Sequence, residues 1–514
     1  MQPDLTDGTT GILFTDQYQL TMAQLYFDQG LHTRRARFEM FFREYPDYGE
    51  HQAGYCIAAG LEPLLEWMEG LRFTEDDLAA IAAQRTGAGE RRFRDEFLEW
   101  LRHAGDMTAI HVDAVAEGRV VHPHVPMVVV DGPLAIAQML ETAIINHISY
   151  PTLVATKASR VQEAGRGRPV LEFGLRRGPG WGANAGARAA LVGGCDFTSN
   201  VGVSQALGLD PKGTHAHSMV QVFMAVGGGE REAFRAYAAS YPDECILLVD
   251  TIDTLASGVP NAISVFEELR AAGHDPRGIR LDSGDLAFLA VQSARMLDEA
   301  GFPQVQIVLS SNLDELAMWQ ILSQIEVEAP RYGVSPESVV RRLAYGVGTR
   351  LITSHGDSAL GGVYKLVAVA DAGGDLQPAI KVSDSPEKVP VPGVKQVWRV
   401  YDRRGIATAD VIGVAGESPF DGAVRLAHPH RTGVGRVLHG VEVSLVEELL
   451  EPAFRDGGRT RPAPNLEDMR RRRHVDLERL DPGVRRLVNP HIYHVSLTEQ
   501  MRDLREHLVA AAAR

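Results

Sequence analysis

The sequence predicts an α/β protein built around an irregular parallel barrel, on three observations. Short apolar runs of strand type at 170–173, 195–198, 245–249, 278–281, 305–309 and 343–345 alternate with helical patterns at 183–192, 230–240, 263–272, 286–300 and 313–325, and such alternation is the signature of a parallel sheet. Polar, chemistry-bearing residues close several of these runs, which is where parallel α/β folds gather their sites. After about residue 360 the rhythm gives way to close-spaced β segments. So many units in so short a span favour a barrel over an open doubly wound sheet, which gives the same alternation.

Taken in order, residues 12–110 read as mixed: 38–42 (Phe-Glu-Met-Phe-Phe) as a strand, and 61–101 as helical pieces with acidic N-termini. Strands follow at 112–116 and 127–131. One long helix then runs from 133 to 164, which Pro151 should kink or split because proline lacks the amide donor. Beyond the alternating region, 363–369, 397–401 and 408–414 read as strands of an antiparallel, non-barrel domain. The end is polar and helical, with four arginines at 470–473 and a final amphipathic helix over 497–513.

A chain of 514 residues favours two or three domains. Its hydrophobic fraction of 45% is ordinary for a soluble globular protein with a substantial core. A formal net charge of -15 argues against a general nucleic-acid binder, which would be basic, yet leaves local arginines free to hold an anion. Cys56, Cys195 and Cys245 are too far apart for a zinc spacing or a disulfide framework, which fits a reducing, cytoplasmic setting. Residues 1–20 lack the basic start and apolar core of a leader. No apolar run reaches the roughly 18 residues that span a bilayer.

The most informative stretch is Gly213-Thr214-His215-Ala216-His217-Ser218. Imidazole nitrogen is a competent phosphoryl acceptor at neutral pH, and Gly213 allows a ligand to approach closely. A hydrogen-bonded core histidine is the competing reading, and the residues alone do not choose between His215 and His217. In Arg280-Leu281-Asp282-Ser283-Gly284-Asp285, strand alternation puts Arg280 and Asp282 on one face. There a guanidinium can clasp a carboxylate, and the acids suit ribose hydroxyls or magnesium; an internal Arg–Asp pair is the alternative. Gly346-Val347-Gly348-Thr349 offers the backbone N–H groups and hydroxyl of a phosphate cradle, which Ser310-Ser311-Asn312 could complete. Glu172-Phe173-Gly174-Leu175-Arg176-Arg177 ends the first run with an arginine able to reach a diphosphate. Residues 247–254 look like the pyrophosphoryl-ribose motif of type I phosphoribosyltransferases, but the adjacent acidic pair is missing and that fold is not assigned. The arginines at 470–473 read as a solvated helix face rather than a nucleic-acid patch.

Together these clusters resemble the nicotinate phosphoribosyltransferase family. The matching features run in order: Thr15-Asp16-Gln17-Tyr18-Gln19-Leu20-Thr21-Met22; Phe38-Glu39-Met40-Phe41-Phe42; Leu171-Glu172-Phe173-Gly174-Leu175-Arg176-Arg177; the Gly213–Ser218 stretch; Val249-Asp250-Thr251; the Arg280–Asp285 and Gly346–Thr349 motifs; and Asn489-Pro490-His491 with Tyr493 and Val495-Ser496-Leu497. The resemblance covers nearly the whole chain, and the ordered set is far more specific than any one motif.

The resemblance implies a type II phosphoribosyltransferase fold. Residues 1–130 would give the N-terminal part of a flanking α/β domain, 131–355 the irregular barrel, 356–425 the returning β segments, and 426–514 a C-terminal helical extension. It implies transfer of phosphoribosyl from phosphoribosyl diphosphate to nicotinate, coupled to ATP hydrolysis through a phosphohistidine, with Mg2+ present, no nucleic acid or membrane involved, and a homodimer sharing its active sites. By motif match His217 would be the phosphohistidine. Arg280 and Thr214 would bind nicotinate, with Tyr18 reaching the ring from the neighbouring subunit. Gly348 and Thr349 would hold the ribose 5-phosphate, with Ser310 and Asn312 beside them. Asp282 would contact ribose or magnesium, Asp285 would join the substrate contacts, and Arg176 would meet the diphosphate. Ser199 aligns with an aspartate of the related nicotinamide-using enzyme, and a serine favours the acid. Ile252 departs from the family's usual aromatic residue, and the missing cysteine clusters imply no structural zinc.

Nicotinamide phosphoribosyltransferase is the alternative within the class. A barrel lyase or aldolase would need a Schiff-base lysine at a strand end; Lys157 falls in a helical pattern and Lys212 merely precedes the histidine loop. A non-catalytic nucleic-acid binder would rest on the C-terminal arginines alone.

Overall fold

A computed structural model describes residues 11–382, 389–420, 422–431 and 433–512. Residues 1–10, on which part of the leader reading rests, and Ala513, at the end of the expected last helix, lie outside them. The chain divides into two compact units, Val154–His355 and the combination of Met1–Leu153 with Gly356–Arg514.

The first of these carries six short strands: β1 (Val170–Glu172), β2 (Phe197–Thr198), β3 (Ile246–Leu248), β4 (Gly278–Leu281), β5 (Gln306–Ser310) and β6 (Leu343–Val347). They are almost continuously apolar and buried, as strands covered on both faces must be. They pair in parallel in the order β2-β1-β6-β5-β4-β3. The sheet is a curled half-barrel, open between β2 and β3. Connecting helices include α1 (Gly180–Gly193), α2 (Val201–Ala206), α3 (His217–Ala225), α4 (Glu230–Ser240), α5 (Val259–Ala271), α6 (Leu286–Glu299), α7 (Glu315–Glu328) and α8 (Pro336–Arg341). Lys157, the lysine a Schiff-base reading would need, is buried and paired with Glu315 at 3.1 Å.

The other unit holds two large sheets and a two-stranded pair, 56–57 with 120–121. One is antiparallel, in the order 376–378, 362–370, 35–42, 128–133, 111–114, 451–455, 458–459. The expected strand at 38–42 lies inside it, between 362–370 and 128–133, with Phe38 stacked on Tyr364 at 4.9 Å. The second sheet runs 435–439, 423–427, 495–498, 407–414, 395–402, 443–448, and its only parallel pair among the described strands joins 407–414 to 495–498. The C-terminal motif is structural here. Tyr493 is buried, stacks on His122 at 3.7 Å and donates to Asp410 at 3.0 Å.

Four expectations are corrected. The compact barrel unit starts at Val154 rather than 131, because 128–133 is a strand of the first antiparallel sheet and 134–153 is helical chain of the same unit. The stretch 133–164 forms two helices, Leu134–Met139 and Glu141–Ala164, and the break is at Leu140. The second helix runs through Pro151. The carbonyl that proline leaves unbonded, that of His147, is met by Gly60, where a Cβ would lie 1.8 Å from that oxygen. The region 426–514 is not a helical extension. It supplies strands 435–439, 443–448, 451–455, 458–459 and 495–498 besides two helices. The first two are only half-buried, and their mixed polarity hid the strand period. The arginine run is not a uniform solvated face, since Arg473 is buried and Arg472 donates to the Glu117 carbonyl at 3.3 Å.

Candidate active site

The C-terminal ends of β1 to β6 carry the polar residues singled out in the sequence. Their arrangement centres on Arg280, at the third position of β4 and half-buried. Its guanidinium is held on three sides: Nε donates to Ser310 Oγ at 2.8 Å, one terminal nitrogen to Asp282 Oδ1 at 3.0 Å, and the other lies 3.4 Å from Thr214 Oγ1. Ser310 Oγ in turn donates to Asp282 Oδ1 at 2.5 Å. The guanidinium carbon stands 5.4 Å from the centroid of the Phe173 ring, giving a cation above an aromatic face. Gly346, on β6, makes room for that ring: a Cβ there would lie 2.6 Å from two ring carbons.

His217 opens α3 and is half-exposed. Its Nδ1 is 3.2 Å from Thr251 Oγ1, and its Nε2 is 3.8 Å from both Asp250 Oδ1 and Asp282 Oδ2. Asp250 is buried. Its Oδ2 accepts from the Asp282 amide at 3.1 Å and from Ser283 Oγ at 2.5 Å, whereas Oδ1 has no hydrogen-bond partner. His215 serves differently. Its Nε2 accepts the Leu248 amide of β3 at 3.1 Å and its Nδ1 lies 3.3 Å from the Ala216 carbonyl, so it is neutral with its proton on Nδ1. Burial pushes its pKa below the usual histidine value. The geometry therefore separates the two histidines that residue types left equivalent.

Gly348 and Thr349 follow β6. Gly348 precedes a single helical turn, Thr349–Ile352, whose first N–H groups have no acceptor within the helix. A Cβ on Gly348 would come within 3.2 Å of the Phe173 carbonyl. Beside it, Ser311 and Asn312 take positive φ (104° and 47°) in a tight reversal after β5. Glu172 is buried, and burial raises its pKa; it accepts from Thr198 Oγ1 at 2.6 Å and from the Gly174 amide, which braces the β1 and β2 ends. Ser199 follows β2 half-exposed, its amide donating to the Glu172 carbonyl at 3.0 Å. Arg176 lies exposed in the short helix after β1.

Two predicted residues stand apart. Asp285 caps α6, accepting from the Phe288 amide at 3.1 Å, and also holds Gln324 at 3.0 and 3.1 Å. Its carboxylate is committed to helix structure, a role the Asp-Leu start of an apolar helix signals. Tyr18 belongs to the other unit, 48% exposed near the start of helix Gln17–Asp28. Three residues that contact this group were given no role from the sequence: Asp250, Thr251 and Phe173. The signal for the first two was their place directly after an apolar run, the same place that flagged Asp282 and Gly348.

The incomplete parallel barrel with these strand ends defines a type II phosphoribosyltransferase fold. Residues 13–149 match the nicotinate phosphoribosyltransferase (NAPRTase) N-terminal domain, and residues 394–505 match the C-terminal domain. The nicotinate phosphoribosyltransferase of Bacillus subtilis is 36% identical over 490 residues, covering 95% of this chain and 93% of that protein. One from Mycobacterium tuberculosis is 39% identical over 412 residues, 79% of each. The crystal structure of human nicotinic acid phosphoribosyltransferase superposes with a TM-score of 0.77 at 30% identity, covering 96% of this chain and 99% of that one. The chain belongs to the nicotinate phosphoribosyltransferase family.

Proposed function

We propose that this protein joins nicotinate to 5-phosphoribosyl 1-diphosphate, giving nicotinate mononucleotide and diphosphate, the first step of NAD salvage from nicotinate. ATP hydrolysis is coupled to this through phosphorylation of His217. The observation that carries the reading is the placement of Arg280 above Phe173, within reach of Thr214 and next to the His217–Asp250–Asp282 group.

Nicotinate is a flat aromatic acid. Its ring stacks on Phe173 and its carboxylate takes the charge-assisted hydrogen bonds of Arg280 and the Thr214 hydroxyl. That grip leaves the ring nitrogen unbonded. Its lone pair attacks the ribose anomeric carbon as the bond to the diphosphate oxygen breaks, the electron pair leaving with diphosphate. The step passes through a cationic sugar, so positioning and charge placement carry the catalysis. Gly348 and Thr349 hold the 5-phosphate, with Ser310 and Asn312 at the adjoining strand end, and Arg176 meets the departing diphosphate. Ser199 presents no negative charge to the carboxylate.

With Nδ1 beside Thr251, His217 offers Nε2 for the phosphoryl group. Phosphorylation places roughly two negative charges next to the substrate cavity, and hydrolysis removes them. This alternation shifts the balance between substrate-binding and product-releasing states. Magnesium fits the donor set: the unpartnered Asp250 Oδ1 and the Asp282 Oδ2 are hard oxygen ligands on either side of His217. When bound it would neutralise charge on the transferred and departing phosphates.

A homodimer is part of the reading. Tyr18 is exposed, and apolar side chains left in solvent follow the strand ends, among them Trp181, Val201 and Ile252. These fit a second copy whose Tyr18 covers the nicotinate ring. The buried cysteines fit a cytoplasmic setting, and among the described residues no helix is long and apolar enough to cross a membrane. Diphosphate release tests the whole reading. It is expected with nicotinate and phosphoribosyl diphosphate, stimulated by ATP, and weak with nicotinamide. A preference for nicotinamide would overturn the substrate assignment.

A further inference from the structure

The half-barrel leaves two strand edges bare, β2 on one side and β3 on the other. An edge strand exposes backbone groups that need partners. The loop 207–216 supplies them at one point on each side. Its Lys212 amide donates to the Thr198 carbonyl of β2 at 3.0 Å, and its His215 Nε2 accepts the Leu248 amide of β3 at 3.1 Å. The gap is thus bridged without a strand, and on the β3 side the acceptor is a side chain.

We propose that His215 is a positioning residue, whose neutral imidazole fastens the catalytic loop to the β3 edge and so fixes Thr214 and His217 over the substrate site. This rests on the function proposed above. Three observations support it. The loop residues on either side of His215 are the ones that touch the site: Thr214 lies 3.4 Å from Arg280, and His217 lies 3.2 Å from Thr251. Thr251 is three residues beyond Leu248, so one short stretch of chain anchors both histidines and sets the distance of His217 from Asp250. The imidazole is also held from behind by α4. Tyr237 meets it edge-on at 4.9 Å and the buried Phe234 lies 6.1 Å away. An aromatic seat and a backbone donor both select the neutral ring with a bare Nε2.

A glutamine at 215 reaches as far as histidine and keeps an acceptor oxygen where Nε2 stands; a leucine fills similar space with no acceptor. In His215→Leu, KM for nicotinate should rise and ATP-dependent phosphate incorporation at His217 should fall, each about tenfold, as the loss of one well-placed hydrogen bond predicts. The melting temperature should change little. His215→Gln should restore both kinetic quantities. Amide exchange at Leu248 in the wild-type protein is a second test that does not depend on a variant folding. This amide lies on the sheet edge with no strand beside it, and protection is expected. Wild-type kinetics in His215→Leu, or an unprotected Leu248 amide, would overturn the proposal. Wild-type protein that turns over no nicotinate would sink the functional reading instead, and the Leu248 exchange would still decide the structural one.

Discussion

Asp250 Oδ1 lies 3.8 Å from His217 Nε2, buried and without a hydrogen-bond partner, while the other oxygen of the same carboxylate is tied to the Asp282 amide and Ser283. A buried charge kept partly unpaired is costly, and sites that tolerate one do so for chemistry. Its natural partners are a protonated or metal-associated group at the His217 position. Asp250→Asn keeps the shape and the two structural hydrogen bonds but removes the charge. ATP-stimulated turnover should fall about 100-fold or more, as for loss of a positioned acid–base partner, with the ATP-independent rate affected less. Steady-state assays with and without ATP measure both.

Arg280 should be irreplaceable by lysine. A point charge cannot bond a carboxylate, Ser310 and Asp282 in one plane as the guanidinium does. Arg280→Lys should raise KM for nicotinate about tenfold or more, from the loss of a charge-assisted pair of roughly 1.5–3 kcal/mol. It should also narrow the preference over nicotinamide, which competition between the two substrates reads directly.

Gly346→Ala places a methyl 2.6 Å from the Phe173 ring carbons. The ring must turn or the strand must shift, and overpacking of this kind costs about 1–3 kcal/mol. Weaker nicotinate binding and a lower melting temperature should appear together. A Phe173→Leu partner, with a smaller side chain, should recover the stability but not the affinity.

The buried His122 gives the other unit a pH dependence. Its Nδ1 lies 2.7 Å from the Tyr45 hydroxyl, and burial, aided by Arg399, holds its pKa well below the usual histidine value. Above the unfolded value of about 6.5 both states are neutral and nothing is lost. As pH falls below it, the unfolded chain binds a proton that the folded chain refuses, so stability falls with falling pH. Half-buried His124, with its pKa lowered to about 3, acts in the same direction down to that value. Melting curves from pH 7 to 4 should show the decline, and His122→Phe should make it shallower.

Cys245 is buried, and burial pushes its thiol up to about 12. A thiol so far from ionisation is a poor nucleophile at pH 8. Alkylating reagents should leave it unmodified in the folded protein and label it only after denaturation, which mass spectrometry resolves.

Much of this was legible in the residues. The strands 278–281 and 305–309 announced themselves because a covered parallel strand is mostly apolar, and their polar ends marked where Arg280, Asp282 and Ser310 would sit. What escaped was decided by tertiary context. Residue types alone did not separate His215 from His217, which only the motif match told apart; the structural distinction is the Leu248 amide, met by His215 in a contact 33 residues away in sequence. Asp250 looked like part of a misplaced motif because its role depends on β3 lying beside β4. Asp285 read as a ligand next to Asp282, although its position before an apolar helix also reads as a cap. The strands at 435–439 and 443–448 lack a clean alternation because they are only half covered.

Crystals of the protein with nicotinate mononucleotide decide whether strand ends distant in sequence form one site for a pyridine acid and a sugar phosphate. The product's carboxylate should lie on Arg280, its ring on Phe173, and its 5-phosphate at the Gly348–Thr349 turn. Density for the nucleotide elsewhere, with Arg280 still bound only to Asp282, Ser310 and Thr214, would mean that these strand ends are not the substrate site.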